Sequence, residues 1–177
     1  MDAFLNSHSC FTIVLPPPGI REVYHQDVAV QISRNLYQYY AADSEIVETF
    51  DDSTGQGNAL FLDDSLAGGL ADDFPISLHG GTLRVRDVVR NRTIEFSEPG
   101  LGAIFLHPLS RGRLGVVIKG NDELGLRRAM RLLPLRTGVG QPDLIVIGKE
   151  AGWRGLDGVR IMAMYTSEWR LEGGIFD

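Results

Sequence analysis

Residues 114–147, LGVVIKGNDELGLRRAMRLLPLRTGVGQPDLIVI, carry the pattern on which the fold is read. Residues 114–118 form a continuous apolar run with β-branched side chains, the mark of a strand buried on both faces. Residues 121–133 then place Leu126, Ala129, Met130 and Leu133 at helical spacing. Asn121 is positioned to cap that helix, Asp122 and Glu123 suit its positive end, and Pro134 would stop it. Residues 144–147 are again apolar and strand-like. Strand, helix and strand at this spacing predict a βαβ unit.

Working outward, the N-terminal part repeats the plan. Residues 11–15 read as a buried strand ended by the rigid Pro16-Pro17-Pro18-Gly19 turn. A helix over 27–42 follows, with Asp27 as N-cap and Ala29, Ile32, Leu36 and Tyr40 on one face. Residues 45–50 return to strand composition, 51–58 are turn-rich, and 59–62 form a third short strand. Residues 63–75 read as a loop or short helix. Thr82-Leu83-Arg84-Val85-Arg86 and Arg92-Thr93-Ile94-Glu95-Phe96 alternate polar with apolar, which predicts an antiparallel hairpin at a sheet edge. Residues 103–106 and 159–165 complete the strands, and a polar tail follows. With no repeat and no low-complexity linker, residues 1–177 read as a single domain. The expected class is a three-layer α/β fold, flavodoxin-like, with a mostly parallel sheet and an antiparallel hairpin insertion.

The chain has 177 residues, 44% of them hydrophobic, and a formal net charge of −6. An acidic surface repels phosphate backbones, which argues against nucleic acid as a partner. Arg127, Arg128, Arg131 and Arg136 form the strongest local exception, and a solvated helix face accounts for them. No stretch reaches the roughly 20 apolar residues that span a bilayer, so no membrane partner is expected. Cys10 is the only cysteine, and as the neighbour of a strand it reads as buried and inert. The N-terminus shows no signal peptide. Asn91-Arg92-Thr93 is a glycosylation acceptor pattern.

In open parallel sheets ligands gather at the carboxyl ends of the strands. Here those ends carry 16–19, 51–57, His107-Pro108, Gly120-Asn121-Asp122 and 148–150. The candidate binding crevice is therefore His107, Gly120, Asn121 and Asp122, with Trp153 close by in sequence. Gly120-Asn121 at a strand-to-helix turn invites a phosphate, but Asp122 and Glu123 would repel it, and no nucleotide-binding glycine motif occurs. His107 suits a general base or simply a strand end. His8, His25 and His79 lack metal-ligand spacing. The pairs Asp51-Asp52, Asp63-Asp64 and Asp72-Asp73 read as solvated loop acids. Neither a cofactor nor a metal is expected. No serine sits in a G-x-S-x-G elbow, so no catalytic residue is assigned. Trp153 and Trp169 read first as core rings; stacking on a sugar or a partner is the alternative.

The run 131–148 (RLLPLRTGVGQPDLIVIG), with 152–159 (GWRGLDGV) and 34–43 (RNLYQYYAAD), resembles the C-terminal domain of large secreted fungal proteins. Their preceding domain looks like an α/β-hydrolase of esterase or prolyl-oligopeptidase type. In that family the serine elbow belongs to the preceding domain, so no catalytic residue transfers to this chain. The resemblance implies secretion and a non-catalytic accessory domain that docks on a hydrolase or binds its glycan or polymer substrate. Two alternatives stand beside it: a small esterase-like hydrolase using His107 with acids such as Asp122, and a homo-oligomerisation or protein-interaction module.

Overall fold

The computed structural model describes residues 2–7, 9–63, 65–66, 70, 74–79, 82–88, 90–133 and 141–176. In chain order the elements are β1 (Phe11–Val14), α1 (Val23–Tyr40), β2 (Ser44–Val47), β3 (Ala59–Leu62), β4 (Ile76–His79), β5 (Thr82–Asp87) and β6 (Arg92–Phe96). Then come β7 (Gly102–Pro108), β8 (Leu114–Gly120), α2 (Glu123–Met130), β9 (Leu144–Ile147), α3 (Ala151–Arg154), β10 (Val159–Tyr165) and β11 (Leu171–Phe176). Eight strands form one mixed sheet in the order β11-β10-β9-β7-β8-β3-β1-β2, and β4-β5-β6 form a separate antiparallel sheet.

The large sheet has two halves of different character. β2, β1, β3 and β8 are parallel neighbours. β7 is antiparallel to both β8 and β9, and β10 is antiparallel to both β9 and β11. Both principal helices lie on one face. α1 turns Val28, Ala29, Ile32 and Leu36 inward, α2 contributes Leu126 and Ala129, and both sets pack with Ile13, Leu60, Ile104 and Ile118. The opposite face packs Val14, Phe61, Phe105, Val117 and Ile161 against Ile76, Leu83, Val85 and Phe96 of the small sheet.

The local signals explain the helix limits. α1 begins one turn before the expected Asp27, because Glu22 and the His25 side chain form a reciprocal capping box. It ends where Ala41 turns left-handed and donates its N–H back to Tyr37. α2 is capped by Asp122 rather than Asn121; the Asp122 carboxylate accepts the Gly125 N–H at 2.8 Å. Pro134 and Arg136 lie outside the described residues.

The expected flavodoxin-like plan is overturned. Helices cover one face only, the second layer is a β-sheet, and half of the main sheet is antiparallel. The cause is a connection length. Five residues, 109–113, separate β7 from β8, whereas a parallel crossover needs a dozen or more. The two strands therefore close as a hairpin, with Gly102 opposite Gly120 and Pro108 opposite Leu114. β8 and β9 still run parallel about α2, but β7 lies between them. Continuous apolar runs suggested parallel strands; here they arise because both faces of an antiparallel stretch are covered. The 82–96 hairpin forms, but it pairs with β4 over the sheet face instead of extending the sheet edge.

Candidate functional site

With β1 taken as pointing up, the carboxyl ends of β1, β2, β3, β8 and β9 meet the upper rim, and those of β7 and β10 the lower rim. The proposed crevice residues are divided accordingly. Gly120, Asn121, Asp122 and Trp153 belong to the upper rim. His107, five residues along β7 from the Gly102–Gly120 pair, sits about 17 Å lower. His107 and Asp122 therefore do not share a site within one chain.

At the lower rim, Phe74 packs edge-on to His107 at 5.0 Å between ring centroids and also contacts Phe105, Tyr165 and Trp169. Burial pushes the His107 imidazole down to about 4, and its Nδ1 makes no hydrogen bond. The 51–57 segment also reaches this rim. Asp52 accepts from Arg113 at 2.6 Å and from the Ser110 N–H at 2.8 Å, and Ser110 Oγ donates to the Asp52 carbonyl. With Oγ and imidazole each turned elsewhere, no serine–histidine–acid relay forms here. Cys10 is exposed, not buried. Its thiol is raised above its ordinary value by desolvation first and then by Glu45 and Asp43, which keeps it protonated and unreactive.

The upper rim holds an assembly that sequence reasoning missed. His25 and Asp63 are buried, and His25 Nε2 lies 2.6 Å from Asp63 Oδ2. The Glu22 N–H donates to His25 Nδ1 at 2.9 Å, so the imidazole proton belongs on Nε2, facing the carboxylate. Asp63 Oδ1 accepts the Gly120 N–H at 2.7 Å and lies 3.8 Å from the buried Lys119 ammonium. This knot joins the ends of β3 and β8 to the start of α1. Its three side chains are buried. Its one sequence signal is an acid directly after the wholly apolar β3. Among the described residues, no group of three His, Cys, Asp or Glu is arranged to hold a metal ion. Asp64, Asp72, Asp73 and His8 lie outside those residues.

The accessible feature of the upper rim is a cleft of about 420 Å³ between α2 and α3, lined by Pro99, Gly100, Leu124, Arg128, Lys149 and Trp153 among others. Trp153 is 73% exposed and Leu124 53%. Of the two tryptophans only Trp169 packs into the core, beside Tyr165 and Phe74. The Arg154 guanidinium lies 4.9 Å from the Trp153 ring centroid. The walls are fixed by internal bonds. Asp122 Oδ2 accepts the Gly100 N–H at 2.8 Å, Arg128 donates to the Gly100 carbonyl at 2.7 Å, and Arg160 lies between Glu98 and Glu150. Asn121 donates to the Glu98 carbonyl, leaving its own buried Oδ1 without a partner. Asp122, Glu98 and Glu150 are thus engaged, whereas Lys149 forms no ion pair with the described residues. The cleft is bordered by charges of both signs, Arg128 and Lys149 beside Asp122 and Glu150.

Below the cleft, no helix among the described residues packs on the helix-side face of β10 and β11. Burial alternates along β10, with Ile161 and Ala163 turned to the small sheet and Met162 and Met164 to the other side. Met162 pairs with Ile175 of β11. Met164 is 46% exposed and Ile175 64%. Both are apolar side chains left open to solvent on this face.

The fold is a mostly β architecture, an eight-stranded mixed sheet with helices on one face and a three-stranded antiparallel sheet on the other. No protein-family profile matches the chain. It is 35% identical, over 184 aligned positions, to an uncharacterized secreted protein of Arthroderma benhamiae. That match covers 99% of this chain but 19% of the relative, so the chain spans about one fifth of that protein's length. Among the described residues, no helix is long and apolar enough to cross a membrane.

Proposed function

We propose that this chain is a non-catalytic accessory domain that docks on the rest of a larger secreted polypeptide through the Trp153 cleft and the helix-free face of β10 and β11. The observation that carries the reading is the exposure of Met164 and Ile175 on a sheet face that no described helix covers, together with that of Leu124 on α2 and Trp153 on α3. The length of the Arthroderma protein supports it, since four-fifths of that chain lies outside the match. We further propose that the neighbour is a hydrolase-type domain, as the resemblance of 131–148 and 152–159 implies.

The test mixes this chain with the separately expressed remainder of the Arthroderma protein and measures affinity and p-nitrophenyl ester hydrolysis. Saturable binding is expected, weakened about 30-fold or more by Trp153→Ala, the loss typical of a central aromatic anchor. The isolated chain is expected to hydrolyse nothing, with or without His107→Ala. Ester hydrolysis by the chain alone, abolished by His107→Ala, overturns the accessory reading. Unchanged affinity in Trp153→Ala overturns the surface.

A second reading rests on the Trp153 ring itself. Arg154 lies over the ring, which is 73% exposed, and an exposed indole is a group on which a sugar ring stacks. Retention on an insoluble polysaccharide, lost in Trp153→Ala, would favour that occupant over a protein neighbour.

A further inference from the structure

We infer that Asn91 is an N-glycan acceptor, placed at the end of the molecule remote from the Trp153 cleft. Asn91-Arg92-Thr93 is the single Asn-x-Ser/Thr triplet among the five asparagines of the chain. The fold puts Asn91 in the β5–β6 hairpin turn and Arg92 and Thr93 at the start of β6, with all three residues exposed. The turn is held from inside. Buried Asp87 accepts the Arg90 N–H at 3.1 Å through Oδ1, and its Oδ2 lies 3.1 Å from the Arg90 guanidinium. Asn91 itself takes a left-handed conformation at φ 48°, which asparagine tolerates better than most residues. Its carboxamide makes no hydrogen bond with the described residues, so attaching a sugar to Nδ2 breaks no native contact.

Room is also present. Asn91 and Thr93 border an open groove of about 530 Å³, bounded on its far side by Glu168, Trp169 and Arg170 of the β10–β11 turn. That turn is at the lower rim, because Tyr165 pairs with Leu171 there. Trp153 follows β9 at the upper rim, so the seven-residue length of β10 separates the two surfaces. Asn91 thus stands at the rim opposite the Trp153 cleft, on the small-sheet side of the main sheet.

The modification is an ordinary transfer. Asn91 Nδ2 forms a bond to C1 of the first N-acetylglucosamine of a lipid-linked oligosaccharide. The C1–O bond to the lipid pyrophosphate breaks, and the pyrophosphate departs with the amide proton taken up by base. It requires passage through a eukaryotic secretory compartment, consistent with the secreted relative.

The experiment expresses the full chain behind a secretion leader in yeast, beside a control acceptor protein. The expected result is a glycan-sized mass increment removed by peptide-N-glycosidase, with Asn91 converted to Asp in the released peptide. Asn91→Gln and Thr93→Ala should lose the increment while being secreted and folded by circular dichroism; Thr93→Ser should retain it. An unmodified Asn91 in secreted, folded protein, while the control acceptor is glycosylated, overturns the inference. So does an increment that survives both Asn91→Gln and Thr93→Ala.

Discussion

Replacing Asp63 with alanine should remove the strongest single tie at the upper rim. The substitution deletes the acceptor of the Gly120 N–H and the 2.6 Å contact to His25 Nε2, and it takes a negative charge from beside buried Lys119. Removing one partner of a buried charge pair costs about 3–5 kcal/mol. Asp63 also has φ 50°, a conformation that alanine adopts at a cost of roughly 1 kcal/mol. The sum is about 4–6 kcal/mol, a large part of the 5–15 kcal/mol typical of a domain. Asn at the same position keeps the shape, tolerates the left-handed backbone and retains an acceptor for one of the two donors. It should cost about 2 kcal/mol, since one donor is then left unpaired. Urea unfolding followed by circular dichroism measures both variants. A cycle with His25→Ala should show coupling of at least about 1 kcal/mol, because the two side chains touch. Losses below about 1 kcal/mol for both substitutions, or additive behaviour with His25→Ala, would refute the knot as a stability element.

Two further substitutions probe the packing. Burial holds the His107 imidazole at about 4, below its unfolded value near 6.5, so the unfolded chain binds a proton that the folded chain refuses. His107 should leave stability intact above pH 6.5 and reduce it by on the order of 2–3 kcal/mol as pH falls from about 6.5 to 4. His107→Phe should flatten that part of the urea-midpoint profile at little other cost, because Nδ1 makes no hydrogen bond to lose; an unchanged acid slope would contradict the assignment. Gly125→Ala improves intrinsic helix propensity by about 1 kcal/mol, yet its new Cβ would run into the Leu101 carbonyl. The midpoint should fall by about 1–3 kcal/mol, and a stabilised variant would show that α2 does not sit this close to β7.

The elements were more legible in the sequence than their directions. The strands at 59–62, 144–147 and 159–165 announced themselves by apolar runs, and the hairpin at 82–96 by alternation. β4, at 76–79, fell between the segment 63–75 read as loop or short helix and the alternating run at 82–86, and β11 was hidden by Gly173-Gly174, which weaken a strand pattern. Direction depended on one inconspicuous quantity, the five residues between β7 and β8, too few for a crossover. The same error placed His107 at the upper rim, since a mostly parallel sheet would have put every strand end there. Gly120, Asn121, Asp122 and Trp153 were grouped near their true positions because they follow β8 and β9, which do point to one rim. His25 and Asp63 stand 38 residues apart and come together only when α1 packs across β3. Periodicity reports which face a residue takes, and it carries no information on such distant polar contacts.

Hydrogen–deuterium exchange of this chain, free and mixed with the remainder of the Arthroderma protein, tests the docking surface most directly. Protection gathered in 148–154 and across β10 and β11, and abolished by Met164→Glu without loss of fold, is the predicted footprint. Protection centred on the small sheet at 82–96, or a footprint unchanged by Met164→Glu, would contradict it.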